Sequence, residues 1–132
     1  MAIKLQSPSV NKSSEVKGES KDAPKYEPSR RITSFHIRGF QYWDGPLVLN
    51  ELKVGDELDL IPEPDNPEDP YAIAIYGRGT KLGYIPREEN GLLSLMFFYG
   101  HTDLFEVRIL QVSTDEAPWE QVRVGIYVRD GR

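Results

Sequence analysis

The feature that most constrains this fold is a change of pattern at Arg31, after which short runs of apolar residues are repeatedly broken by Pro, Gly, Asn or Asp. Successive side chains on a strand point to opposite faces, so apolar residues at period two mark a half-buried strand. Glu57–Ile61 sets Leu58 and Leu60 against Glu57 and Asp59, which places those two carboxylates in water. Phe105–Val112 sets Phe105, Val107 and Ile109 against Glu106 and Arg108, and Gln121–Val128 repeats the pattern with Val122, Val124, Ile126 and Val128. Thr33–Gly39, Leu47–Leu52, Tyr71–Tyr76 and Lys81–Ile85 are further β-like runs. Val54-Gly55-Asp56 reads as one turn, and Gly77-Arg78-Gly79 as the tip of a hairpin, because glycine admits positive φ. Many short strands punctuated in this way specify an all-β barrel or sandwich.

One stretch departs from period two. Between Arg87 and Gly100, Leu92, Leu95, Met96 and Tyr99 recur at helical spacing, Glu88 and Glu89 stand at the positive end of the helix dipole, and Gly100 stands at the C-cap position. The spacing predicts a helix over 88–99, with those four residues as its apolar face.

Residues 1–30 are built from Lys, Ser, Glu and Pro with few apolar side chains, so burial cannot offset the entropy of ordering them, and a disordered tail is expected. The remaining length suits a single domain over 31–129, with 130–132 as a short C-terminal end. The tail holds six Lys/Arg and four Asp/Glu, whereas the whole chain has a net charge of −5, so the body is acidic. An acidic body opposes nonspecific duplex binding, which relies on cations displacing counterions, and any nucleic-acid contact must be local.

The chain carries no cysteine, which excludes thiolate zinc sites, iron–sulfur clusters, a cysteine nucleophile and disulfides, and suits a reducing compartment. No run resembles a secretory signal or a membrane span, so a cytoplasmic location is expected. His36 and His101 have no second histidine at metal-binding helical spacing, and neither G-x-x-x-x-G-K-[ST] nor G-x-S-x-G is present. His36, inside the first run, reads as a packed or surface histidine. The acidic stretch Asp56, Glu57, Asp59, Glu63, Asp65, Glu68, Asp69 does not follow the order of a calcium loop, and turns or a solvated strand face account for its members. No catalytic residue, metal site or cofactor is expected.

The most informative constellation is Glu63-Pro64-Asp65-Asn66-Pro67-Glu68-Asp69-Pro70, because prolines fix φ and present the intervening polar side chains in a nearly preset geometry. Together with Gly39-Phe40-Gln41-Tyr42-Trp43, Ala72-Ile73 and Leu82-Gly83-Tyr84-Ile85-Pro86-Arg87, in that order, it resembles the signature blocks of the HIRAN family over about residues 31–129. The resemblance implies a modified OB-like β-barrel of six strands with one or two short helices. It also implies a non-catalytic module that grips the 3′ end of single-stranded DNA and serves repair or replication-fork processing beside a helicase or nuclease. Carried over residue by residue, Tyr42 and Trp43 would form a platform under the terminal bases. Asn66 and Asp69 would lie at the terminal sugar, with Asp69 accepting from the 3′-hydroxyl, and Tyr84 and Arg87 would flank the backbone phosphate. Gln41 and Glu68 depart from the basic and aromatic residues of DNA-binding members.

The residue types suit these roles in their own right, since bases stack on aromatic faces regardless of sequence and an ionised carboxylate only accepts hydrogen bonds. Other uses compete. Adjacent residues on a strand point to opposite faces, so one of Tyr42 and Trp43 could belong to the core, and Asn66 and Asp69 could serve as turn caps. A second reading of the whole is a protein-interaction adaptor for a DNA-processing enzyme, with the DNA-binding activity lost.

Overall fold

The computed structural model describes residues 29–132, so the tail expected from composition lies outside the described residues except at its end. Ser29 and Arg30, assigned to that tail by composition, pair with Arg129 and Val128 at the start of the first strand. Six antiparallel strands follow in chain order: β1 (Ser29–His36), β2 (Glu57–Pro62), β3 (Ile73–Gly77), β4 (Thr80–Tyr84), β5 (Phe105–Val112) and β6 (Val122–Arg129). They form one sheet in the order β1-β6-β5-β2-β3-β4. Its edges, β1 and β4, meet just past the end of β1, where Arg38 N donates to Tyr84 O at 2.8 Å and Tyr84 N donates to Arg38 O at 2.9 Å. The OB-like barrel is thus joined by one bridge and not by a continuous ladder between these strands.

That bridge depends on Gly83. Its φ is +149°, and a Cβ there would fall 2.5 Å from the carbonyl oxygen of Arg38, so only glycine lets the two backbones approach.

Alternation places the core as the sequence implies. Leu58, Val107, Ile109, Val122, Val124 and Ile126 are buried, while Glu57 and Asp59 face solvent. β3 is buried almost throughout, with Ile73, Ala74 and Ile75 inaccessible. Its hairpin to β4 turns through Arg78 and Gly79, both at positive φ, as a two-residue turn matched to strand twist requires.

Two expectations are corrected. Leu47–Leu52 is not a strand: α1 (Gly45–Val48) and a 3-10 turn (Leu49–Glu51) occupy it. Pro46 presets a helical φ at the start, and Val48, Leu49 and Leu52 reach the core at helical spacing while Leu47 stays exposed. The predicted helix exists as α2 (Arg87–Phe98), but its buried face is Asn90, Leu93, Ser94 and Phe97. The stripe Leu92, Leu95, Tyr99 points outward, with Met96 partly covered. Among the described residues no helix is long and apolar enough to cross a membrane.

Candidate nucleic-acid interface

The aromatic run after β1 separates its members by a tight turn. Gly39 takes a left-handed conformation at φ 75°, and Phe40–Tyr42 then forms a 3-10 turn that drives Phe40 into the core. Gly45 leaves room for that ring, since a Cβ at this position would lie 2.3 Å from Phe40 Cε1. Because the segment is a turn and not a strand, Tyr42 and Trp43 both reach solvent, at 78% and 41% exposure. Neither is a core residue.

Trp43 lies edge-on to Tyr84, with ring centroids 6.0 Å apart. The ammonium of Lys81 sits 3.9 Å from the centre of the Trp43 ring, a cation–π arrangement that steadies the indole. Lys81 Nζ also donates to Glu63 Oε2 and to the Tyr84 hydroxyl, each at 2.7 Å, and the Tyr84 hydroxyl donates to Glu63 Oε1 at 2.8 Å. Burial would raise the Glu63 carboxyl, but hydrogen bonds from Lys81, Asn66 and Tyr84 outweigh it and hold the group below its ordinary range. Burial would lower Lys81, and its bonds to Glu63 and Tyr84 raise it instead.

Asn66 connects this cluster to the proline-rich loop. Its Nδ2 donates to Glu63 Oε1 at 3.0 Å, and its Oδ1 accepts from the backbone amides of Glu68 and Asp69 at 2.8 and 3.2 Å. Asp69 then fastens the loop to α2: Oδ1 accepts from the amide of Tyr71, and Oδ2 accepts from Asn90 Nδ2, both at 2.9 Å. Arg87 Nε approaches Asp69 Oδ2 at 3.5 Å, and Arg87 also donates to the Glu68 carbonyl. Burial would raise the Asp69 carboxyl, but the Tyr71 amide, Asn90 and Arg87 together hold it low, so it is ionised at neutral pH.

Contacts therefore link Trp43, Tyr84, Asn66, Asp69 and Arg87 into one chain of neighbours drawn from four segments, with Tyr42 beside Trp43 at its exposed end. Asn66 and Asp69 cap turns as well as standing in this chain. Three carboxylates here have a cation, Glu63 with Lys81, Asp69 with Arg87 and Glu88 with Arg38, while Asp44, Asp65 and Glu68 stand exposed beside them. The surface is thus aromatic and mixed in charge, with carboxylates in excess of cations.

Sequence reasoning missed Glu63, Lys81 and Asn90 as parts of this arrangement. Glu63 opens the loop and Lys81 precedes the Leu82–Arg87 block, so adjacency to those motifs is the signal that pointed to them. Trp119, 58% exposed in the 3-10 turn Pro118–Glu120, was missed as well. That turn packs against the turn carrying Tyr42. Gln41, between Phe40 and Tyr42, is partly buried, and its Oε1 has no hydrogen-bond partner among the described residues.

A small curled antiparallel sheet with an exposed aromatic surface of mixed charge at one edge defines a binding module, and the comparisons with known proteins narrow that class. The family model of the HIRAN domain matches residues 31–129, so the chain belongs to the HIRAN domain family, whose members are nucleic-acid-binding modules. Among solved structures, a protein from Lactobacillus plantarum is similar at 20% identity and a TM-score of 0.65, covering 76% of this chain and 94% of that one. The HIRAN domain of human HLTF is similar at 18% identity and a TM-score of 0.55, covering 77% of each chain. At such identities the likeness shows the fold. No curated protein matches the sequence.

Proposed function

We propose that this domain binds the 3′ end of single-stranded DNA without catalysis, and that it serves a helicase or nuclease in repair or fork processing. The observation that carries the reading is the convergence of Trp43, Tyr84, Asn66, Asp69 and Arg87, with Tyr42 exposed beside them. Tyr42 and Trp43 offer faces to the terminal bases, which is worth about 1–3 kcal/mol per stacked base in any sequence. Asp69, held ionised, has about four acceptor positions, of which the Tyr71 amide and Asn90 fill two and Arg87 approaches a third. It retains capacity to accept from a terminal hydroxyl. Arg87, with its side chain 68% exposed, can reach the last phosphate, and Tyr84, whose hydroxyl already donates to Glu63, would flank it. The exposed aromatic faces and the cations Lys81 and Arg87 among the carboxylates support a nucleic-acid ligand, and the exposed Asp44, Asp65 and Glu68 beside them are what a basic protein partner would use in the second reading.

The test uses fluorescence anisotropy at low salt with three forms of one short strand: 3′-hydroxyl, 3′-phosphate and 5′-phosphate. A 3′-phosphate brought against Asp69 repels it, and a difference of about 1.4 kcal/mol gives tenfold weaker binding. The 5′-phosphate should bind like the unmodified strand, and Asp69→Asn should narrow the gap, since an amide can donate to phosphate. Equal affinities for all three ends would end the case for end recognition. No binding at low salt would favour the adaptor reading.

A further inference from the structure

We propose that the outward face of α2 pairs with the same face of a second copy of this chain, giving a two-fold dimer that leaves both DNA-facing surfaces free. The helix carries two seams, each spaced i, i+3, i+4, i+7. The inward seam is Asn90, Leu93, Ser94, Phe97, half of it polar and all of it buried. The outward seam is Leu92, Leu95, Met96, Tyr99, entirely apolar and bulkier, and Leu92, Leu95 and Tyr99 remain 68%, 51% and 76% exposed. An amphipathic helix normally shows the reverse, with its larger apolar side chains turned toward the core. The outward seam therefore has the composition of a buried surface without a partner within the described chain.

Three observations select a second copy as the occupant. The first is symmetry: Leu92-x-x-Leu95-Met96-x-x-Tyr99, like any i, i+3, i+4, i+7 set, has the same spacing from either end, and here, unlike the inward seam, every position carries a large apolar or aromatic side chain that a second copy can meet. An isologous interface brings residue i against j and j against i, so two antiparallel copies oppose Leu92 to Tyr99 and Leu95 to Met96. The second is charge. No Asp, Glu, Lys or Arg occurs between Asn90 and Thr102, and Glu88, one turn before Leu92 on the same face, is paired with Arg38, so the centre of the face has no charge with which to select a basic or acidic partner or a nucleic acid. The third is area. Leu92, Leu95 and Tyr99, with Phe98 at 48% exposure alongside, present on the order of 500 Å². An interface of ordinary size takes about 800 Å² from each partner, so this face suits a weak, concentration-dependent pairing. Asn90, which holds Asp69, lies on the inward seam, so pairing of the outward seams does not cover it.

Sedimentation velocity on the full chain, from low micromolar to several hundred micromolar, tests the proposal. A monomer–dimer equilibrium is expected, weakened at least about tenfold by Leu95→Glu, which sets two carboxylates near the axis. At a dilution where the parent is monomeric, melting of that variant should match the parent, because Leu95 has no role in the core. An equimolar mixture of Leu92→Glu and Tyr99→Lys should associate better than either alone, since the two-fold opposes these positions. A monomer at every concentration, or an undiminished dimer in Leu95→Glu, overturns the proposal. A melting temperature lowered in Leu95→Glu at that same dilution would mean that the chain covers the face itself, and absence of the mixed dimer would reject the two-fold register. Either result overturns it as well.

Discussion

In the β5–β6 ladder, Val107, Ile109, Val122, Val124 and Ile126 are withdrawn almost wholly from water, whereas the loop from Glu63 to Tyr71 buries no large apolar side chain. The ladder is held by apolar burial, a non-directional force that tolerates small shifts of register, and a bulge between Ile109 and Gln111 is accommodated within it. The loop is held by directed bonds through Glu63, Asn66 and Asp69, each of which fixes an angle as well as a distance. The first arrangement gives stability; the second places particular atoms. A ligand that must be recognised by one hydroxyl and one phosphate requires the second kind of construction.

The comparison breaks most visibly at the ladder. Ile126 is completely buried at the centre of the core, so Ile126→Ala should cost about 2–5 kcal/mol, read from the shift of the urea midpoint with little change in slope. A loss under about 1 kcal/mol would show that β6 does not carry the core in the way described. Where the variant still folds, its loop hydrogen bonds and its affinity for a single strand should survive.

These two regions were also unequally legible in the sequence. Alternation in Phe105–Val112 and Gln121–Val128 is a local consequence of burying one face, and those strands follow from it directly. The same logic failed at Leu47–Leu52, where four apolar residues in six positions fit either period and Pro46 decided for a helical turn. It failed again on α2: two seams at helical spacing are visible in the sequence, and the more apolar is not the buried one. The Pro-rich loop could be recognised from composition and resemblance, but the joining of Glu63 to Lys81 and of Asp69 to Asn90 spans 18 and 21 positions. Pairings at that distance are set by the sheet order, which no local pattern encodes.

Acid should separate the two regions by an intermediate amount. Glu63 and Asp69 have folded-state values held below their ordinary 4.5 and 3.8. A depressed carboxyl contributes stability in full above its unfolded value and loses it as pH falls through the folded value. Lys81 is raised, so its contribution is complete below the ordinary 10.5 and disappears only as pH climbs through the higher folded value. The loop should therefore loosen below about pH 4 and stay intact through the neutral and mildly alkaline range. Trp43 reports on it through its contact with Lys81, once Trp119 is removed by Trp119→Phe. Its fluorescence should change at a pH where far-UV dichroism of the sheet is unaltered, and Glu63→Gln should weaken that separate transition. A single transition common to both signals would mean that loop and ladder unfold as one unit.

The smallest effect on stability is expected at Tyr42, and it sharpens the comparison because it tests a residue that belongs to neither scaffold. Tyr42 is 78% exposed on the turn after Phe40, and its neighbour Phe40 supplies the burial that anchors that turn. Removing a buried aromatic costs about 3–5 kcal/mol, whereas a surface change away from caps and packed contacts stays within about 0.5 kcal/mol. Tyr42→Ala should therefore melt like the parent. The same substitution removes one stacking face, so affinity for a short single strand should fall by about 1–3 kcal/mol, or from fivefold to more than a hundredfold. Melting and anisotropy on one sample give both numbers. A large loss of stability would make Tyr42 part of the framework, and unchanged affinity beside unchanged stability would take it off the platform and leave Trp43 as the aromatic contact.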